Sequence, residues 1–132
     1  MYSYFSSYNK FYSEKDKDTK TEHFADIVQV QELTDSTIQS VYKKPTVLLC
    51  YAPWCSHCVH FKPQFEELAK MFGDDKSVSF SQLEASKWTM AASNFNIEFY
   101  PTVFFIKNNQ THTYNGTRSI PLIKSWIESM NK

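Results

Sequence analysis

Glycine is nearly absent, with two residues in 132. Sandwiches and barrels of short strands lean on glycine at their many turns, so this scarcity argues against a turn-rich all-β architecture. Net charge is absent as well, with 14 basic residues against 14 acidic ones. Without a basic surplus, neither nucleic acid nor an anionic membrane surface is the expected main partner. Long hydrophobic runs are missing too. The longest, Val47 to Ala52, falls far short of the roughly 20 residues that cross a bilayer. The opening residues, MYSYFSSY, have neither the basic start nor the apolar stretch of a secretory signal. The reading is then either a cytosolic protein as it stands or one whose targeting segment has been removed. Cysteine occurs three times, too few for a cystine framework.

What is present is a chain of single-domain length, able to bury a core without staples. Residues 1–12 hold six aromatics among Ser and Asn, and Ser13 to Lys20 alternates charge. Residues 1–23 are therefore expected to be a flexible, aromatic-rich leader and charged linker, with a folded domain over 24–132. Within it, Ile27–Val30 reads as a strand. Leu33-Thr34-Asp35 opens a helix to about Tyr42, with Thr34 or Asp35 as N-cap. Thr46–Tyr51, between Pro45 and Pro53, reads as a strand buried on both faces. A long helix follows, with Phe61, Phe65, Leu68, Ala69 and Phe72 on one face, Pro63 kinking it and Gly73 ending it. Ser77–Glu84 is a strand, Trp88–Phe95 a short helix and Thr102–Lys107 a strand. Asn108-Asn109 is a turn, Thr111–Asn115 its hairpin partner and Ser119–Met130 a closing helix. The order β-α-β-α-β-α-β-β-α predicts an α/β fold with a central mixed sheet flanked by helices.

The chemistry concentrates in Trp54-Cys55-Ser56-His57-Cys58, where the buried strand gives way to the long helix. A thiol at a helix N-terminus meets unpaired N–H groups and the positive end of the dipole, both favouring thiolate. Two such cysteines three positions apart read as a pair for thiol–disulfide exchange.

This order of elements, with Ala52-Pro53-Trp54-Cys55-Ser56-His57-Cys58 at the second helix, resembles the thioredoxin superfamily, and most of all the catalytic domains of protein disulfide isomerases. Pro63, five residues after Cys58, resembles the family's helix-kinking proline. Tyr100-Pro101-Thr102 is similar to the loop whose cis proline packs beside the active-site disulfide. Tyr114-Asn115-Gly116-Thr117-Arg118 resembles the Tyr-x-Gly-x-Arg stretch before the last helix. The likeness covers roughly residues 24–131. It implies a thioredoxin fold and an enzyme that exchanges disulfides with protein substrates, without a cofactor, in the endoplasmic reticulum or secretory pathway. A cytosolic reductant and a client-binding module with vestigial chemistry are the alternatives. Cys55 would be the exposed nucleophile, Cys58 the buried resolving thiol, and His57 a nearby positive charge favouring the Cys55 thiolate. Trp54, Tyr100 and Pro101 would meet the substrate, with an extended segment pairing beside Pro101. Oligomeric state is left open.

Three positions depart from the family's pattern. Leu49 stands where many relatives have a buried acid that exchanges the resolving thiol's proton. Glu98 stands where an arginine is expected, and Val59 where a charge is common. A positioned acid–base group contributes on the order of 10²–10⁴-fold, so resolution of mixed disulfides is expected to be slow. Cys50 reads as a small core hydrophobe rather than a third redox thiol, because adjacent strand residues face opposite ways.

Cys55, His57, Cys58 and His60 also raise the question of zinc. A tetrahedral site needs ligands from two directions, and no second Cys/His pair exists, His23 and His112 being isolated and expected to face solvent. No metal is expected. Asn109-Gln110-Thr111 and Asn115-Gly116-Thr117 are glycosylation sequons, relevant only in a secretory compartment.

Overall fold

The computed structural model of the protein describes residues 29–132. The leader expected at 1–23, with His23, and the start of the first predicted strand lie outside the described residues. Five strands form one mixed sheet in the order β1-β3-β2-β4-β5. They are β1 (Val30–Leu33), β2 (Thr46–Tyr51), β3 (Ser79–Glu84), β4 (Thr102–Lys107) and β5 (Gln110–Thr113). β3 runs parallel to both β1 and β2, while β4 is antiparallel to β2 and β5 to β4. The helices are α1 (Ser56–Met71), α2 (Thr89–Ala92) and α3 (Ile120–Met130), with a 3₁₀ helix at Ile38–Tyr42.

β2 is central, and all six of its residues are buried, as the near-continuous apolar run predicts. Its alternation divides the core. Val47, Leu49 and Tyr51 face α1 and α3, packing with Cys58, Phe61, Phe65, Leu68, Ile123 and Ile127. Leu48 and Cys50 face the other layer, with Ile38, Val41, Ala91 and Phe95. In α1 the apolar residues recur at i, i+4, i+7 and i+8, so Phe61, Phe65, Leu68 and Ala69 lie on one buried stripe. Each large side chain buried there stabilises by roughly 1.5–3 kcal/mol. Pro63 lies inside α1, where its missing N–H removes one hydrogen bond of the ladder.

Several element boundaries differ from expectation, among them β3 beginning at Ser79 rather than Ser77 and β5 ending at Thr113 rather than Asn115; the following have local reasons. β1 is Val30–Leu33, running past the expected end at Val30, so Leu33 ends a strand instead of opening a helix. Thr34 to Thr37 then turn on their own side chains: the Thr34 N–H donates to Thr37 Oγ1 at 2.8 Å and the Ser36 N–H to Thr34 Oγ1 at 3.2 Å. Such bonds compete with helix formation and leave only the 3₁₀ turn behind them. α2 stops at Ala92 rather than Phe95. There the Ser93 hydroxyl donates to the Met90 carbonyl at 2.6 Å and the Asn94 amide to the Ala91 carbonyl at 3.1 Å, occupying the acceptors another turn would need. β5 begins at Gln110 because Asn108 and Asn109 both take positive φ, 55° and 62°. A two-residue turn of that hand sets Lys107 opposite Gln110.

Asp35 caps no helix of its own. Its carboxylate accepts the Ala91 N–H at 2.8 Å, capping α2 from 56 residues away.

Candidate active site

Between β2 and α1 the chain turns on itself: the Cys55 N–H donates to the Ala52 carbonyl at 3.2 Å and the Val59 N–H to the Cys55 carbonyl at 3.1 Å. Cys55 is thereby the N-cap of α1, with extended backbone angles, and Cys58 sits one turn inside. The two thiols have opposite surroundings. Cys55 is partly exposed, and Cys58 is 1% exposed within the cluster under α1. All three cysteines are free thiols.

Cys55 closes no side-chain capping hydrogen bond, yet the donors of the first helical turn face it. Chief among the causes, the Cys58 N–H holds the Cys55 thiol below its ordinary value. The Cys58 side chain, the His57 N–H and the Arg118 charge assist, and partial burial opposes. The direction follows from chemistry, since donors and positive charge favour the thiolate. Cys58 moves the other way. Burial is the foremost cause of its rise, and proximity to Cys55 adds to it. A backbone hydrogen bond from Ala52 and the Arg118 charge draw it partly back.

The Tyr100–Pro101 bond is cis. It brings the Tyr100 carbonyl oxygen to 3.7 Å from Cys55 Sγ, and the Thr102 hydroxyl closes the same loop on the Phe99 carbonyl. Trp54 is 73% exposed. Its ring meets Tyr100 edge-on, with centroids 5.9 Å apart at 77°. The predicted residues Trp54, Cys55, Cys58, Tyr100 and Pro101 thus come together around one sulfur. His57 joins them with its backbone N–H directed at Cys55. Its exposed imidazole lies on the far flank, lining a groove with His60 and Arg118.

The charge acting on both thiols is that of Arg118. Sequence reasoning looked for an arginine at Glu98, which is exposed and takes a 3.4 Å contact from Asn96. The available signal was the Tyr-x-Gly-x-Arg stretch itself, since that loop returns to the N-terminus of α1. Leu49 is fully buried on the Cys58 face of β2. Its register partner on β3 is Gln82, and the partner of Gln82 on β1 is Glu32. Gln82 Nε2 donates to Glu32 Oε1 at 2.6 Å, and the Tyr51 hydroxyl donates to Glu32 Oε2 at 2.8 Å. The hydrogen-bonded Glu32 carboxylate is therefore two strands away from the position Leu49 fills, while Gln82 Oε1 is buried without a partner.

Cys50 lies in the opposite layer, and burial pushes its thiol up to about 12, the behaviour of a core residue. His112 is half-buried on β5 rather than solvent-facing. Among the described residues, no three His, Cys, Asp or Glu side chains cluster as metal ligands. Nor is any helix there long and apolar enough to cross a membrane.

A family model, Thioredoxin, matches residues 25–129. Mouse protein disulfide-isomerase A4 is 40% identical over 81 residues, which cover 60% of this chain and 13% of that protein. The solution structure of the first thioredoxin domain of the same mouse protein is similar at a TM-score of 0.72 and 30% identity, covering 79% of this chain and 76% of that one. The crystal structure of the Trx4 domain of ERdj5 shares the fold at a TM-score of 0.69 and 24% identity, with 79% and 96% covered. The chain spans 13 to 26% of the curated relatives it matches.

Proposed function

Because the chain belongs to the thioredoxin family, we propose that it is a protein-disulfide-isomerase-like module exchanging disulfides with protein substrates through Cys55 and Cys58. The observation that carries this reading is the opposed setting of the two thiols, Cys55 lowered at the N-terminus of α1 and Cys58 raised by burial beneath it. The Cys55 thiolate attacks one sulfur of a substrate disulfide. That S–S bond breaks as the Cys55–substrate bond forms, and the departing sulfur takes a proton. Cys58, once deprotonated, attacks Cys55 Sγ and releases the second substrate thiol, leaving the Cys55–Cys58 disulfide. Two electrons pass to the substrate, and the reverse sequence oxidises it. Trp54, Tyr100 and Pro101 form the surface against which the substrate chain lies. Leu49 supplies no acid for the Cys58 proton, so the second step is the slow one. The setting we propose is the endoplasmic reticulum, from the kinship with protein disulfide isomerases.

Reduction of insulin by the purified protein, with Cys55→Ser and Cys58→Ser alongside, tests the proposal. The parent should turn over, Cys55→Ser should be inert, and Cys58→Ser should accumulate a mixed disulfide. A parent no faster than Cys55→Ser would overturn it. That outcome would favour the client-binding reading, for which the exposure of Trp54 and Phe99, 73% and 52%, is the specific support.

A further inference from the structure

His57, His60 and Arg118 meet along an open groove of about 460 Å³ beside Cys55. His57, His60 and Gln64 are spaced i, i+3 and i+7, so α1 presents them as one stripe. The opposite wall is the loop of Gly116, Thr117 and Arg118. Among the described residues, no carboxylate lines this groove. Of the acids on α1, Glu67 is turned to Lys70, 3.6 Å away.

The loop that carries Arg118 is built rather than loose. The Tyr114 hydroxyl folds over to donate to the Thr117 carbonyl, and the Ser119 N–H donates to the same oxygen at 2.8 Å. Gly116 allows this closure, because a Cβ there would stand 2.6 Å from Tyr114 Oη. Arg118 is thus held where its charge reaches both Cys55 and Cys58. The other flank of Cys55 is different in kind, with Trp54 and Tyr100 and the exposed Phe99 and Glu98. A chain of zero net charge has gathered donors on one side of its nucleophile and apolar surface with an acid on the other.

We propose that this groove binds an acidic side chain of the substrate polypeptide, so that cysteines with Asp or Glu close by are selected. The inference rests on the exchange reading above. Arg118 is a permanent cation with a fork suited to a carboxylate, and the imidazoles donate N–H bonds to it in either charge state. All three are exposed, so the gain is modest. It appears chiefly in the rate of encounter and weakens with salt.

The test uses the Cys58→Ser chain and three disulfide-bonded peptides identical except for Glu, Gln or Lys two residues from the reacting cysteine. The rate of mixed-disulfide formation should be about five- to tenfold higher for Glu than for Lys at low salt. In Arg118→Gln and His60→Gln the Glu/Lys ratio should fall toward one. Taking the ratio cancels the effect of Arg118 on the thiols themselves. A parent ratio within twofold of one, or a preference that survives both substitutions, would overturn the groove. Failure of all three peptides to react would instead overturn the exchange chemistry. A second measurement needs no chemistry: the Glu peptide with Ser for Cys, titrated to millimolar concentration, should shift the His57 and His60 imidazole resonances saturably. Unmoved resonances would reject the groove independently.

Discussion

Cys55 Sγ lies 3.7 Å from the carbonyl oxygen of Tyr100, a residue 45 positions further on that joins both halves of the core. The thiol is thereby fixed against the loop before β4, while the N–H groups of α1 face it from the other side. A nucleophile held between a carbonyl and a helix start is poised: the carbonyl accepts a hydrogen bond from the thiol, and the N–H groups stabilise the thiolate once the proton leaves to a base.

Leu49→Glu should speed the resolution step by on the order of 10²-fold, the low side of what a positioned acid–base group contributes. The new carboxyl would lie on the Cys58 face, in the row with Gln82, whose Oε1 is unpartnered. Stability should fall by several kcal/mol, because a carboxyl replaces a fully buried leucine. Turnover of a disulfide substrate, in which Cys58 attacks the mixed disulfide, measures the first effect. Leu49→Gln, polar but without an acid, should show no acceleration. Equal rates for Leu49→Glu and the parent would refute slow proton transfer as the cause.

Cys50 makes the reduced protein sensitive to alkali. Its pKa rises from 9.0 to about 12 on folding, so the fold favours the neutral thiol. That stabilisation is complete below pH 9.0. It is lost as pH climbs from about 9 to about 12, at about 1.4 kcal/mol per pH unit. Urea midpoints at pH 8 and pH 10 should differ by less in Cys50→Ala than in the parent, although Cys50→Ala starts lower. Identical pH slopes would show that Cys50 is not the group responsible.

Gly116→Ala should destabilise by about 1–2 kcal/mol, since its Cβ must displace the phenol that closes the Arg118 loop. Tyr114→Phe should cost about 1 kcal/mol by losing the same bond. In a double-mutant cycle the two losses should add up to less than their sum, as expected for a shared contact. Full additivity in chemical denaturation would place the strain elsewhere.

Asp35→Ala should cost about 1 kcal/mol, typical of a lost N-cap, and should raise hydrogen exchange at the Ala91 amide specifically. An unchanged Ala91 exchange rate would mean that the carboxylate is not capping α2.

The sequence was most legible where the pattern is local and strong. The run Thr46–Tyr51, the stripe Phe61-Phe65-Leu68-Ala69, the Asn108-Asn109 turn and the Cys55–Cys58 pair all sit where the residues themselves imply. Legibility failed where a partner comes from far along the chain. Nothing around Asp35 announces that its carboxylate serves a helix at Ala91, and the hydroxyls of Thr34 to Thr37 spend the helix signal on a turn. The site divides in the same way. The helix-start argument foresaw a Cys55 lowered by unpaired N–H groups, and the resemblance added the His57 imidazole as the nearby charge. The N–H of Cys58 is foremost, and the distant charge is Arg118, whose approach depends on how the loop before α3 folds back.

The most direct test of the account is the pH dependence of alkylation of the fully reduced protein, with each thiol followed separately by peptide mass spectrometry. Cys55 should be modified first, with a midpoint below its ordinary value of 9.0, and Cys58 only at higher pH, above that value. Equal midpoints for the two thiols, or earlier modification of Cys58, would contradict the division of roles between nucleophile and resolving thiol.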